Sequence, residues 1–115
     1  MALQVSAEAR LELLPEITRR ILTVCKPEKI ILFGSYARGD YGPDSDLDIL
    51  VILKGVASTR AESNRLRGAL RGLLVPIDIM VATPEQIQQH RQTLGLIYRP
   101  ALNEGKVIYE RSRTD

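Results

Sequence analysis

Three short apolar runs are the sequence feature that most restricts the fold of this chain. They span Lys29–Phe33, Asp46–Leu53 and Val75–Val81, and the first two are bounded by glycine, proline or other turn-forming residues. The segments around them carry apolar residues at helical spacing or begin with helix-capping residues. Strands that alternate with helices in this way predict an α/β fold, with a small mixed β-sheet and helices packed on it.

The helical segments are predicted from apolar periodicity, capping residues and helix-breaking residues. They are residues 6–25 with a restart at Pro15, a short turn over Ser35–Arg38, a helix from a Thr59–Glu62 capping box to about Leu74, a helix opened by Thr83 to Gln86, and Leu94–Glu104 with Gly105 as its cap. Lys106–Tyr109 is predicted as a last, short edge strand. The expected order is therefore α-β-β-α-β-α-α-β.

Length and composition predict one globular domain over residues 1–115. Hydrophobic residues make up 44% of the chain and charged residues 26%, and the net charge is only +2. Nucleic-acid binding is disfavoured, because such modules usually concentrate basic residues on one face. No apolar run approaches the roughly 20 residues that a membrane span requires. A single cysteine and the absence of a signal-peptide pattern lead us to expect a cytoplasmic protein.

Three aspartates fall on the second and third apolar runs. Asp46 and Asp48 are two residues apart, and strand residues at that spacing project on the same face. Asp78 is the only charged residue in Val75–Val81, and a buried carboxylate is costly unless it is paired or bound to a metal. If the two strands are neighbours, all three carboxylates share one face. Hard oxygen ligands favour Mg²⁺ or Mn²⁺, and three acids suffice for two ions that assist phosphoryl or nucleotidyl transfer.

A glycine-containing turn follows the first apolar run. Gly34 lets the backbone approach a phosphate closely, and the Ser35 hydroxyl can donate to a phosphate oxygen. Arg38 lies one turn further on and could add a positive charge. Together with the acids, this turn is typical of a site for a nucleoside triphosphate with its magnesium.

The spacing of these residues resembles the signature of the DNA polymerase beta nucleotidyltransferase superfamily. Gly34-Ser35 is followed after ten residues by Asp46-x-Asp48, and the late strand carries Asp78. The chain is most similar to the minimal nucleotidyltransferases (MNT) of bacteria and archaea, and the similarity covers nearly all of it. The resemblance implies the nucleotidyltransferase fold and an Mg²⁺-dependent enzyme with ATP as its expected substrate.

The same resemblance implies roles for the site residues. Residues matching Asp46 and Asp48 hold two Mg²⁺ ions in the family. The acid matching Asp78 contacts one ion and activates the attacking hydroxyl, so all three acids are expected to be both catalytic and metal-binding. Residues matching Gly34 and Ser35 hold the triphosphate, and Arg38 is a further expected nucleotide-binding residue.

The resemblance also implies a partner protein. Minimal members usually occur beside a HEPN-domain protein, in pairs that resemble toxin–antitoxin systems, and some transfer AMP to a tyrosine of the HEPN toxin. We therefore expect an antitoxin that adenylylates a HEPN-type toxin, because the larger relatives bind other acceptors with a second domain. Two alternatives stay open: a non-catalytic antitoxin that acts by binding, and transfer to a small molecule or an RNA end. The sequence leaves the oligomeric state open.

Four arginines lie in the predicted helix that begins near Thr59: Arg60, Arg65, Arg67 and Arg71. A solvated helix face is the simpler interpretation of such a run. The alternative is a contact surface for an acidic or RNA-bound partner.

Overall fold

Four strands form one mixed sheet in the order β3-β2-β1-β4. The protein is described by a computed structural model that covers residues 6–90 and 104–112. The strands are β1 (Lys29–Phe33), β2 (Leu47–Ile52), β3 (Ile77–Ala82) and β4 (Lys106–Glu110). β1 pairs antiparallel with β2 and with β4, whereas β2 and β3 run parallel. The predicted small mixed sheet is confirmed, and β3 and β4 are its two edges.

The helices follow the predicted order. A 3₁₀ helix spans Ala9–Leu13, and the α-helices are α1 (Leu14–Val24), α2 (Ser35–Arg38), α3 (Thr59–Ala69) and α4 (Pro84–His90). The predicted restart at Pro15 is confirmed, since the 3₁₀ helix gives way to α1 at that point. The predicted helix Leu94–Glu104 lies outside the described residues except for Glu104. Within the described residues, no helix has the length and apolar character to cross a membrane.

The two faces of the sheet bury different residues. On one face, α1 and α3 cover alternate strand residues such as Leu47, Ile49 and Ile79. The opposite face buries Ile31, Phe33, Leu50, Ile52 and Ala82. Met80 of β3 and Ile87 of α4 pack against them. Burial of this apolar surface on both faces provides the main driving force for folding. The alternation of strand side chains places Asp48 and Asp78 on the second face, at the same end of the sheet.

Two predicted helix ends are wrong, and both corrections concern α3. The N-cap is Ser58, whose extended backbone lets its hydroxyl accept a hydrogen bond from the Ala61 N–H, so the predicted Thr59–Glu62 capping box is wrong. The helix ends at Ala69 instead of Leu74, because the chain then turns and Gly72 takes a positive φ of 94°. Arg71 therefore lies beyond the helix that carries the other three arginines.

The capping box that opens α4 is confirmed. The Gln86 N–H donates to the Thr83 hydroxyl at 3.1 Å, and the Thr83 N–H donates to the Gln86 side-chain carbonyl at 2.9 Å. These reciprocal bonds satisfy two backbone donors that the first turn of a helix leaves free. The local sequence alone is enough to predict this capping box, because Thr83 and Gln86 lie within four residues of the chain.

Candidate active site

Asp48 and Asp78 lie side by side across two parallel strands. The register of β2 with β3 places Asp48 directly opposite Asp78, and Phe33 at the end of β1 lies opposite Asp48 on the other side. Paired residues of adjacent strands project on the same face, so the two carboxylates are neighbours. The structure thus brings Asp78 to the face of Asp48, as predicted from the sequence, but Asp78 is exposed and not buried, because β3 is an edge strand.

Gly34 packs directly against the Asp48 carboxylate. Its backbone has φ 74° and ψ −155°, a combination open almost only to glycine. A Cβ atom at this position would collide with Oδ2 of Asp48 and would lie 3.0 Å from its Cγ. The glycine therefore makes room for the carboxylate itself. This requirement is additional to the close phosphate approach that the sequence predicts for Gly34.

Like charges and burial act together on Asp48. Burial of its half-exposed side chain raises the pKa of the carboxyl, and the charges of Asp78 and Asp46 raise that pKa further. The charge of Arg38 acts in the opposite direction. The site therefore concentrates negative charge that a bound cation would neutralise. Such clusters of perturbed carboxylates are typical of functional sites.

Asp46 lies one residue before β2 and is exposed. It is close enough for its charge to raise the pKa of Asp48. The prediction that Asp46 is the first residue of the second strand is wrong, because β2 begins at Leu47. Within residues 6–90 and 104–112, no three Asp, Glu, His or Cys side chains converge to hold a metal ion by themselves. Mg²⁺ in nucleotide-binding enzymes is usually held by one or two carboxylates together with substrate phosphates and waters. The donor set of Asp46, Asp48 and Asp78 fits that pattern.

Ser35 and Arg38 lie on α2, which directly follows β1 and Gly34. The Ser35 hydroxyl makes no hydrogen bond within the described part of the chain, so it is free to donate to a ligand. Arg38 is exposed and forms ion pairs with Asp40 at 3.3 Å and with Glu104 at 3.4 Å. Both predicted nucleotide-binding side chains therefore lie beside the carboxylates, and Arg38 has two exposed acidic partners that a phosphate would have to replace.

Two supports of the site escape sequence reasoning. The Arg10 guanidinium donates from the 3₁₀ helix to the Ser45 carbonyl at 3.0 Å, and so fixes the loop just before Asp46. Tyr36 stacks on Tyr41 with ring centroids 4.4 Å apart, and its hydroxyl donates to the Ala7 carbonyl at 2.9 Å. One face of each ring is therefore occupied by the other ring. No local pattern signals the two hydrogen bonds, because Arg10 and Ser45 are 35 residues apart and Tyr36 and Ala7 are 29 residues apart.

The chain belongs to the nucleotidyltransferase domain family, whose model matches residues 12–107. Two relatives come from Methanocaldococcus jannaschii. "Putative protein adenylyltransferase MJ0141" is 35% identical over 74 residues, which are 63% of this chain and 74% of that protein. "Putative protein adenylyltransferase MJ0604" is 72% identical over 82 residues, which are 71% of this chain and 78% of that protein. The predicted nucleotidyltransferase resemblance and enzyme class are confirmed.

Solved structures show the same fold. A "putative nucleotidyltransferase from Sulfolobus solfataricus" has a TM-score of 0.65 at 24% identity, covering 90% of this chain and 82% of that one. A mutant of the toxin–antitoxin pair MntA–HpeT has a TM-score of 0.62 at 19% identity, covering 88% and 76%. A toxin–antitoxin structure with AMP-PNP has a TM-score of 0.58 at 20% identity, covering 86% and 75%. At these identities the likeness confirms the predicted fold.

Proposed function

We propose that this domain is a Mg²⁺-dependent protein adenylyltransferase that transfers AMP from ATP to a tyrosine hydroxyl of a HEPN-type toxin. By this transfer it neutralises the toxin and acts as its antitoxin. The observation that carries the proposal is the strand register that sets Asp48 beside Asp78 and against Gly34. The relatives named as protein adenylyltransferases support AMP transfer to a protein, and the toxin–antitoxin neighbours support the kind of partner.

Each site residue has a role in this proposal. Asp46, Asp48 and Asp78 hold Mg²⁺, which when bound neutralises triphosphate charge and stabilises the charge that develops at phosphorus. The turn at Gly34 and the hydroxyl of Ser35 receive the triphosphate oxygens. Arg38 exchanges an exposed carboxylate partner for a phosphate. The bond lost and the bond gained are both charge-assisted hydrogen bonds of similar strength.

The reaction balances without a further reactant. The acceptor hydroxyl oxygen attacks the α-phosphorus of ATP, and a new oxygen–phosphorus bond forms. The bond from the α-phosphorus to the bridging oxygen breaks, and pyrophosphate leaves. Asp78 accepts the hydroxyl proton, because it lies on β3, the edge strand, whereas Asp48 lies on β2 and Asp46 directly precedes β2. The products are an AMP phosphodiester on the acceptor and pyrophosphate.

The test uses the full chain, a HEPN-domain protein as the acceptor, Mg²⁺ and each of the four nucleoside triphosphates. The partner's intact mass should rise by one or more AMP units with ATP. Asp78→Asn should keep most of the nucleotide affinity but lose transfer, since the loss falls on the chemical step. Asp44→Asn is the matched control, because Asp44 is an exposed acid in the loop before β2 and outside the site; it should transfer normally.

Other outcomes would change the proposal. If parent and Asp78→Asn silence the partner equally and neither leaves an adduct, the domain is an antitoxin that acts by binding. Adducts on a small molecule or an RNA end, with none on the protein, would replace the proposed acceptor.

A further inference from the structure

A groove runs along the outer edge of β3, between that strand and α3. Its volume is about 460 Å³, and its lining is formed by Thr59, Arg60, Ser63, Asn64 and Arg67 of α3 and by residues 78–81 of β3. Because β3 is an edge strand of the sheet that residues 6–90 and 104–112 form, none of the described strands covers this groove. Asp78 lines the groove, while its side chain projects beside Asp48 on the sheet face opposite α3, so the groove and the carboxylate site meet at this edge residue.

The helix side of the groove is cationic, and its two arginines differ. Arg67 donates to the Asn64 side chain at 2.9 Å and to the Ile79 carbonyl at 3.3 Å, so it is anchored beside the Asp78 end. Arg60 is exposed and makes no hydrogen bond or ion pair with any described residue. A groove cation that has no acidic partner among the described residues is available to an anionic group of a ligand.

The dimensions of the groove fit a short stretch of extended chain. Residues 78–81 of a strand span about 10 Å, and the seven-residue step from Arg60 to Arg67 along a helix also spans about 10 Å. In a β-α-β unit with parallel strands the helix runs opposite to them, so Arg60 lies toward Val81, away from Asp78. An extended ligand that reaches Asp78 therefore passes Arg60 about three residues away.

The chemistry of the groove favours a peptide over a nucleic acid. None of its lining residues is aromatic, so it offers no ring on which a base could stack. Its Asp78 end adjoins the charges of Asp48 and Asp46, which would repel a continuous run of phosphates. A peptide avoids this repulsion, because it can place a carboxylate at Arg60 and a neutral hydroxyl at Asp78.

We infer that this groove binds an extended segment of the acceptor protein in which an acidic side chain lies about three residues from the acceptor hydroxyl. The acidic side chain pairs with Arg60, and the hydroxyl reaches Asp78. The inference rests on the proposed function, because it assumes a protein acceptor. It adds the surface that selects the acceptor segment and the charge that this segment must carry.

The test is a titration of the ¹⁵N-labelled full chain with a short synthetic peptide, without nucleotide. The peptide has one central tyrosine and glutamates about three residues to either side; a second peptide has lysines in their place. The acidic peptide should shift amide signals of residues 59–67 and 78–81, and the lysine peptide should not. Arg60→Glu should weaken binding about fivefold or more, since it removes one exposed ion pair and adds a repulsion.

Arg71→Glu is the matched control, since it makes the same charge change on an exposed arginine outside the groove. Its affinity should stay within about twofold of the parent. Arg60→Ala gives a second variant, and unchanged thermal unfolding of each variant shows that the fold is intact.

Three results would overturn the inference. They are no shift with the acidic peptide, equal weakening by Arg60→Glu and Arg71→Glu, and stronger Arg60-dependent binding of a single-stranded RNA than of the peptide. Because the titration contains no ATP, its failure is separate from a failure of AMP transfer. Transfer without peptide binding would leave the proposed function standing and remove only the groove.

Discussion

Gly34→Ala should damage this protein far more than the loss of one glycine normally does. The substitution puts a Cβ atom where Oδ2 of Asp48 now lies, in a backbone conformation that side chains rarely adopt. Gly39 offers a matched control five residues along the chain. It also has a positive φ, of 91°, but a Cβ there would meet nothing within 4 Å. The two glycines therefore separate backbone strain from collision.

The expected magnitudes differ by a factor of about three. Gly39→Ala should cost about 1 kcal/mol, the usual penalty for a left-handed residue with a side chain. Gly34→Ala carries a backbone penalty of about 1–3 kcal/mol and a similar amount for forcing Asp48 from its place. A total of about 3–4 kcal/mol is a large part of the roughly 5–15 kcal/mol that stabilise a domain.

Urea denaturation of four proteins measures this effect. They are the parent, Gly34→Ala, Asp48→Ala and the double variant, with Gly39→Ala measured beside them. In the Asp48→Ala background the carboxylate is absent, and the remaining Cβ of residue 48 would lie 3.3 Å from the new methyl group. That distance is tight but tolerable. Gly34→Ala should therefore cost at least about 1 kcal/mol less in this background, as expected for coupled neighbours.

Two results would refute the reasoning. One is a Gly34→Ala cost no greater than that of Gly39→Ala. The other is an equal cost in the parent and Asp48→Ala backgrounds, which would mean that Asp48 does not occupy the space beside Gly34. In either case the glycine would be required for the turn alone.

The remaining predictions concern charge and capping. Because the pKa of Asp48 is raised in the folded state, the metal-free protein should lose stability as pH rises from about 4 through that pKa. Asp48→Asn should remove this loss and gain about 1 kcal/mol at pH 7 in urea denaturation, since two charges about 6 Å apart repel by roughly 0.7–3 kcal/mol; an unchanged pH profile would contradict it. Glu104→Gln removes one partner of Arg38 and should tighten ATP binding about twofold in calorimetry, whereas weaker binding would show that Glu104 supports the site. Ser58→Ala should lower the free energy of unfolding by about 1 kcal/mol, and Thr59→Ala should lower it clearly less. A larger loss for Thr59→Ala would show that Thr59 is the N-cap.

Local sequence predicted the elements of this fold well. The bounds of β1 and α2, the Pro15 restart and the Thr83–Gln86 capping box follow from residues that are neighbours in the chain. The start of α3 was predicted wrongly, because Ser58 and Thr59 are both good capping residues. Only the backbone conformation decides which of the two hydroxyls accepts the bond from the helix.

The sequence by itself determined which side chains could form the site. Gly34 and Ser35 follow a strand, two aspartates open the next, and a lone acid interrupts a third, so the chemistry was visible from residue types and spacing. The proximity of these residues was not visible. It depends on β3 joining β2 in parallel, with Asp48 level with Asp78.

Tertiary structure alone decided the contacts that shape the site. The space beside Gly34 is filled by Asp48, Arg38 pairs with Glu104 across 66 residues, and Arg67 donates to the Ile79 carbonyl of the edge strand. Each contact joins segments that lie far apart in the chain. Strand order and register fix these contacts, and both depend on burying two apolar faces of the sheet at once, which a local pattern does not encode.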